Sequence, residues 1–283
     1  MKQFLSWWSH LPEYISPVAF RIGPVEVHYY GLMYLIAFAI CYSLILNRIK
    51  KENTGFSKAV IDNYFPWLIL AVLIGGRLGY ALFYDFPYYL RHPFEVILPF
   101  DINNGLQYIG LYGMSYHGAL IGVIIATVIF CCKHKLFFWS FADLFAPVVP
   151  LGYTFGRLGN FINGELYGRV TRVPWGMYFP LDSTHQLRHP SQLYEALFEG
   201  LFLFIILWSL RKRMRIPGAL FSLYIIGYGL VRFFLEFFRQ PDSQLGFVIG
   251  PFSMGQILCF VMIISGILIF AARVLGIRQA VAK

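Results

Sequence analysis

Apolar residues run along this chain in long blocks, broken by short polar stretches. Soluble helices and strands would instead show spaced stripes. Seven blocks approach or exceed the roughly 18 apolar residues that mark a membrane-crossing helix. They lie at about Val27–Leu46, Tyr64–Tyr84, Tyr112–Cys132, Phe138–Leu158, Leu193–Leu210, Ala219–Phe238 and Met254–Val274. The pattern predicts an all-α polytopic membrane protein with seven transmembrane helices. A polar insertion, residues 159–192, separates the fourth and fifth blocks and is expected to form a small head within a single integral membrane domain, residues 1–283. No internal repeat or low-complexity segment is evident. The opening "MKQFLSWWSHLPEYISP" has one Lys, two early prolines and no clean apolar core. It does not read as a cleavable signal peptide, but as a short amphipathic lead-in with Trp7 and Trp8 at the interface.

Composition agrees with the pattern. The chain is 58% hydrophobic and 13% charged, with mean hydropathy +0.61. A soluble chain carries about 25% charge. The net charge of +9 could suggest a nucleic-acid partner, but its distribution argues against one. Thirteen of the 23 Lys and Arg are Arg48, Lys50, Lys51, Lys58, Lys133, Lys135, Arg211, Lys212, Arg213, Arg215, Arg273, Arg278 and Lys283. All fall on one side of a seven-span topology. The cation bias places that side in the cytoplasm, with the N-terminus and the insertion outside. The basic surplus is then an orientation signal and a contact for anionic membrane lipids. Cys41, Cys131, Cys132 and Cys259 lie in apolar runs or at a helix end, without metal-binding spacing, and read as packing residues.

On this topology, Arg77, Arg157 and Arg232 fall late in outward-running spans. Tyr30, His117, Gln192, Glu195 and Gln256 fall early in inward-running ones. The polar groups therefore collect in the outer half of the membrane, with Asp143 as the exception. A charge at membrane depth costs roughly 2.5–3.5 kcal/mol on insertion scales. Gly75/Gly79, Gly118/Gly122 and Gly152/Gly156 are small-xxx-small pairs that would let helix backbones approach. Each polar residue has a structural reading on its own: Arg232 could pair with Glu236 at i,i+4, Arg157 could cap a helix end, and Arg239 could touch headgroups. Their collection in one leaflet favours function.

Several arginines at this depth suit a phosphate, which a guanidinium meets with two parallel hydrogen bonds. In a membrane that phosphate belongs to a phospholipid headgroup. His117 is the residue suited to moving a proton near neutral pH. Ser115 and His117 are i,i+2 on a helix and face apart, so a serine hydrolase is not indicated. No Asp, Glu or His cluster has metal spacing, and neither a metal nor a cofactor is called for. A non-catalytic lipid or ion transporter with an arginine-lined cavity is the competing class. Transporters often carry internal repeats, which are not seen here.

"GRLGNFINGELYGR" (156–169), with "HYYGLMYLIAF", "GGRLGYALFYDF", "GMSYHGALIGV", "RHPSQLYEALFEG", "YGLVRFFLEFFRQPD" and "SMGQIL" in order, resembles the prolipoprotein diacylglyceryl transferase family over nearly the whole chain. The resemblance implies a bacterial inner-membrane enzyme with seven helices and a small periplasmic head. Such an enzyme transfers diacylglyceryl from phosphatidylglycerol to the lipobox cysteine of a preprolipoprotein, forming a thioether and releasing glycerol 1-phosphate. By motif it implies roles for Tyr30, His117, Arg157, Asn160, Glu165, Gly168, Arg232, Glu236 and Arg239. His117, Arg157, Arg232 and Tyr30 are the catalytic candidates. Arg157, Asn160, Glu165, Gly168, Arg232, Glu236 and Arg239 are the substrate-binding ones. The chain departs from the family's usual His-Gly-Gly at Ala119.

Overall fold

The structure, a computed structural model, describes residues 2–23, 25–83, 86–96, 100–101, 107–108, 115–240, 247–249 and 252–281. Within these, the side chains of residues 2–4, 25, 83, 94, 100–101, 107–108, 116–117, 247–249 and 277–281 lie outside the description. The chain forms two compact units, one made of Met1–Glu52 with Ala142–Lys283 and the other of Asn53–Phe141.

The larger unit opens with two short helices, α1 (Lys2–Ser9) and α2 (Leu11–Tyr14), and an antiparallel hairpin of β1 (Val18–Ile22) and β2 (Val25–His28). Helix α3 (Tyr29–Lys51) follows. It starts two residues later than the apolar block suggests, because Val25–His28 pair with β1. In the smaller unit, α4 (Lys58–Phe83) leads to the short α5 (Phe86–Arg91), and α6 (Tyr116–Lys133) comes next. Helices α7 (Phe138–Phe145) and α8 (Val149–Ile162) then lead to the head. Beyond it, α9 (Ser191–Glu195) widens into a π-helical stretch, Ala196–Phe202, and resumes as α10 (Leu203–Leu210). Helices α11 (Ala219–Leu235) and α12 (Met254–Val281) complete the unit.

Four helical segments are long and apolar enough to cross a membrane: Tyr29–Lys51, Lys58–Leu82, Ser191–Leu210 and Met254–Gly276. Gly118–Lys133 and Ala219–Leu235 are shorter apolar helices. Large apolar side chains are exposed along them, including Leu70, Ile74, Leu78 and Leu82 on α4 and Phe260, Ile267 and Leu268 on α12. A helix apolar on its outer face is stable only where that face meets lipid or protein. This is a multi-pass helical membrane protein.

The fourth apolar block, Phe138–Leu158, is not one helix. It breaks at Ala146–Val148 between α7 and α8, and α8 runs on to Ile162, into the expected insertion. Pro147 is the physical cause. The Asp143 carbonyl would take its helical bond from the amide at 147, and proline has none. Arg48 fills the gap: its Nη1 donates to the carbonyl oxygens of Asp143 (2.9 Å) and Leu144 (2.6 Å). Arg48 is buried and also pairs with Glu52, which Arg211 meets from its other side. This loop cation therefore has a structural duty beyond orientation. Asp143, the acidic exception in the sequence pattern, accepts from the amides of Gly218 (2.7 Å) and Phe221 (2.8 Å). It caps the start of α11 from another helix, where Gly218 adopts the left-handed backbone (φ 94°) that glycine tolerates.

In the smaller unit, α4 and α6 touch backbone to backbone. A Cβ at Gly75 would lie 2.5 Å from the Gly118 oxygen, one at Gly79 2.5 Å from the Gly118 Cα, and one at Gly122 2.6 Å from the Ala71 oxygen. The small-xxx-small reading holds for these two pairs. It holds for only half of the third: Gly152 packs on Cys41, whereas a Cβ at Gly156 would meet nothing within 4 Å. Ser115 accepts from the Gly118 amide (3.2 Å) and so caps α6. Arg77 is buried, and its Nε and Nη2 donate to the carbonyls of Val96 (3.0 Å) and Glu95 (2.6 Å) within the same unit. The four cysteines are free.

Candidate active site

The helix that begins the signature also aims its side chains. On α8, Tyr153, Arg157 and Asn160 are three to four residues apart and share one face. Arg157 Nε donates to the Tyr153 hydroxyl (2.7 Å), and its Nη1 reaches Asn160 Oδ1 (3.4 Å). The guanidinium also lies over the Tyr153 ring, 4.7 Å from its centroid. Asn160 Nδ2 in turn donates to Glu165 Oε1 (2.8 Å), which Asn163 also approaches. Tyr30, at the start of α3, packs on Gly159 and meets the Tyr34 hydroxyl at 3.1 Å.

Opposite α8, Glu195 and Glu199 stand one turn apart at the entry to the π-helical stretch. Gly200 in that stretch leaves room for Thr154 of α8, which would collide with any Cβ there. The crossing is close because a small residue is present. Glu195 bridges two arginines: its Oε2 lies 2.8 Å from Arg157 Nε and its Oε1 3.0 Å from Arg232 Nη1. Arg232, on α11, also meets Glu199 (3.4 Å) and Glu236 (2.8 Å). The Tyr153 hydroxyl donates to Glu199, which closes the ring. Arg232, Glu195, Glu199 and Glu236 are each less than 10% exposed. Two guanidiniums thus face three carboxylates, an excess of one negative charge if all are ionised. Among the described residues, Arg232 meets three carboxylates. Arg157 contacts only one, and its side chain keeps 14% exposure.

The network extends to the first turn of α12, where Ser253 Oγ donates to Glu236 Oε1 (3.0 Å) and the Ser253 amide donates to Gln256 Oε1 (3.1 Å). Gln192 is fully buried, and its Nε2 donates to the Glu165 carbonyl (2.6 Å). Gly168 and Arg239 pair through their backbones. A Cβ on Gly168 would run into the Phe238 carbonyl and the His189 backbone, so that crossing requires glycine. Arg169 seals the junction, donating from Nε to the Arg239 carbonyl (2.8 Å) and from its amide to the Phe238 carbonyl (2.9 Å).

The head packs around Phe161, Met177 and Phe179, with Trp8, Leu11 and Tyr167 against them. The lead-in docks here rather than standing apart: Trp8 Nε1 donates to the Trp175 carbonyl (3.0 Å), and the Tyr178 amide donates to the Ser9 carbonyl (2.7 Å). A buried pair, Arg188 and Asp182, holds the far loop with two parallel bonds of 2.7 and 3.0 Å. Burial raises the Asp182 carboxyl. The Arg188 guanidinium and the Thr184 hydroxyl and amide more than offset this, holding it well below the ordinary carboxylate range.

Of the residues expected at the site, Arg157, Asn160, Glu165, Arg232 and Glu236 form one connected network, and Tyr30 packs beside it on Gly159. Gly168 and Arg239 join beside it. His117 lies on α6 in the smaller unit, and its side chain is outside the described residues. The sequence pattern singles out neither Tyr153 nor Glu199 and gives Glu195 no role. The signal was present: Tyr153/Arg157 and Glu195/Glu199 repeat the i,i+4 spacing of Arg232/Glu236, in spans with almost no other charge.

A family model described as prolipoprotein diacylglyceryl transferase matches residues 17–272. A protein of Chlorobaculum tepidum named phosphatidylglycerol–prolipoprotein diacylglyceryl transferase is 56% identical over 94% of this chain and 93% of its own length. Proteins of the same name are 46% identical in Wolinella succinogenes, over 91% of this chain and 93% of their own length, and 45% in Campylobacter jejuni, over 94% and 96%. Those matches run through every segment that contributes to the arginine–carboxylate network, and the chain belongs to the prolipoprotein diacylglyceryl transferase family.

Proposed function

We propose that this protein transfers the diacylglyceryl group of phosphatidylglycerol to the lipobox cysteine of preprolipoproteins, the first step of their lipidation. Its relatives carry that activity in their names. The observation that supports the reading within this chain is the pair of arginines, Arg157 and Arg232, both met by one buried carboxylate, Glu195.

The substrate thiol attacks the glyceryl carbon. A C–S bond forms, the C–O bond to phosphorus breaks, and glycerol 1-phosphate leaves with the electron pair. A free thiol has a pKa of about 8.5, so only a few per cent is thiolate at neutral pH. His117 is the proposed base that takes the thiol proton; Tyr30 and Glu236 are the alternatives for that proton work. The leaving phosphate gains a second negative charge, and preorganised donors in a site of low dielectric stabilise it most. Arg157, with guanidinium edge left over from its single carboxylate, is suited to touch that phosphate. Arg232 holds the anionic frame around it. Asn160 and Glu165 are suited to the headgroup hydroxyls, and Glu236, Gly168 and Arg239 to shaping the wall of the site. We place all seven apolar blocks across the bacterial inner membrane, α7 and α8 together forming the fourth, with the head and the site toward the periplasm and the basic loops in the cytoplasm. Mass spectrometry of a lipobox peptide incubated with the protein and phosphatidylglycerol vesicles tests the reading. A thioether-linked diacylglyceryl adduct and free glycerol 1-phosphate are expected. An unmodified thiol, with phospholipid moved between leaflets, would instead assign the cavity to transport.

A further inference from the structure

The proposed reaction needs a phosphodiester at the arginines, yet the charges observed there oppose its arrival. With Glu195, Glu199 and Glu236 all ionised the two arginines are already outnumbered, and a lipid phosphate would add a further negative charge to this buried cluster. Buried charge without a partner is costly, so something must give way.

The geometry names the group that moves. Of the three carboxylates, Glu195 alone contacts both arginines. It meets each with one oxygen. Oε1 accepts from Arg232 Nη1 at 3.0 Å. Oε2 lies in ion-pair contact 2.8 Å from Arg157 Nε, whose hydrogen is donated to Tyr153, so this oxygen is held by charge and not by a hydrogen bond. A phosphodiester presents its two non-bridging oxygens from one phosphorus much as a carboxylate presents two from one carbon. Glu199 and Glu236 are tied elsewhere, Glu199 by the Tyr153 hydroxyl and Glu236 by Ser253, and neither contacts Arg157 among the described residues. Among the described residues, Glu195 has side-chain partners in the two arginines alone. It is also the last residue before the π-helical stretch at Ala196–Phe202, where the helix already departs from its regular bonding register. Such stretches occur often at functional sites. Among the described residues, Glu195 Oε2 and, one turn before it, Oε1 of the fully buried Gln192 are acceptors without a hydrogen-bond partner.

We propose that Glu195 is an internal stand-in for the lipid phosphate. It bridges Arg157 and Arg232 while the site is empty and is displaced when the phosphatidylglycerol headgroup enters. The inference rests on the transferase reading above. Holding the guanidiniums with an anion keeps two like charges together between turnovers. The same contact makes binding a competition, so that only a ligand carrying its own anion at that spot can open the site.

The test neutralises Glu195 without changing its shape. Glu195→Gln leaves two arginines against two carboxylates and removes the one that contacts both. If the carboxylate competes with the lipid, KM for phosphatidylglycerol in mixed vesicles should fall. Losing a charge-assisted hydrogen bond of the usual strength corresponds to about tenfold or more. Inhibition by glycerol 1-phosphate should tighten by a similar factor. Glu199→Gln is the control: it removes the same charge one turn away but not the bridge, and its KM should move far less. A KM that rises or stays level in Glu195→Gln, or falls equally in Glu199→Gln, overturns the proposal. Glu195→Ala gives a readout independent of turnover. Its vacated place should take inorganic phosphate, so millimolar phosphate should raise the melting temperature of the purified variant and not that of the wild type. Equal response of both proteins also overturns it. If the wild type forms no thioether, the transferase reading fails, whereas the phosphate-dependent melting of Glu195→Ala still reports on the stand-in.

Discussion

At the scale of single residues, the two signature arginines divide the work unequally. Arg232 serves three carboxylates with one guanidinium, so Arg232→Met should leave buried charges unmatched. Breaking a buried pair in this way costs about 3–5 kcal/mol, and the variant should give little folded protein and melt early in detergent. Arg157 holds only one carboxylate. Arg157→Lys keeps the charge but loses the planar fork, and it should fold normally while turning over on the order of 100-fold to 1,000-fold more slowly. Melting curves beside single-turnover rates separate the two, and a wild-type melting temperature for Arg232→Met would show that the network is not structural. The head offers a pH test. Asp182 is held below its ordinary pKa of about 3.9 by Arg188 and Thr184. Its stabilising effect is therefore complete above that value and is lost as pH falls through the lower folded one. Wild type should lose thermal stability below about pH 4 by more than Asp182→Asn, which already lacks the contribution at neutral pH. Parallel acid melting profiles would contradict this.

At the scale of elements, small residues set where helices cross. The Gly75/Gly79 and Gly118/Gly122 pairs bring α4 and α6 to backbone contact, and their spacing alone announced it. Gly118→Leu would put a side chain where the Gly75 carbonyl and the Gly79 Cα now stand. Neither can yield, because both are backbone. The variant should fail to pack the smaller unit, and trypsin or thermal denaturation in detergent should reveal it; Ala119→Leu, one residue away on a partly exposed position, should be tolerated far better. Equal resistance of the two would mean the helices can separate without cost. The break between α7 and α8 has a different origin. Pro147 and Pro150 were visible in the sequence, but hydropathy counts them weakly, and the Phe138–Leu158 block looked continuous. What makes the break stable is Arg48, nearly 100 residues earlier, donating to the freed carbonyls.

At the scale of the whole molecule, the remaining expectation is the topology. The cation bias puts Arg211–Arg215 inside and Thr171–Arg188 outside. Single cysteines introduced into each segment of a cysteine-free variant should react with an impermeant maleimide in intact cells only for the second. That variant should keep its activity, because the substrate supplies the thiol; of the four native cysteines, Cys259 is buried beside the arginine network and makes no hydrogen bond to it among the described residues. Labelling of the Arg211–Arg215 segment from outside would reverse the orientation and the leaflet assigned to the site.

The sequence by itself determined the membrane class, the approximate helices and most of the residues in the network. Long apolar blocks, glycine spacing and charge at membrane depth are local patterns that need no fold to be read. It also carried the family, through a run of blocks in fixed order. Tertiary structure decided which charges meet. That Glu195 of α9 joins Arg157 of α8 to Arg232 of α11, that Arg48 repairs a proline break, and that Asp143 caps α11 are all contacts between segments far apart in the chain. No periodicity encodes them, because a buried charge is stable only where packing delivers its partner, and that partner is chosen by how the helices cross.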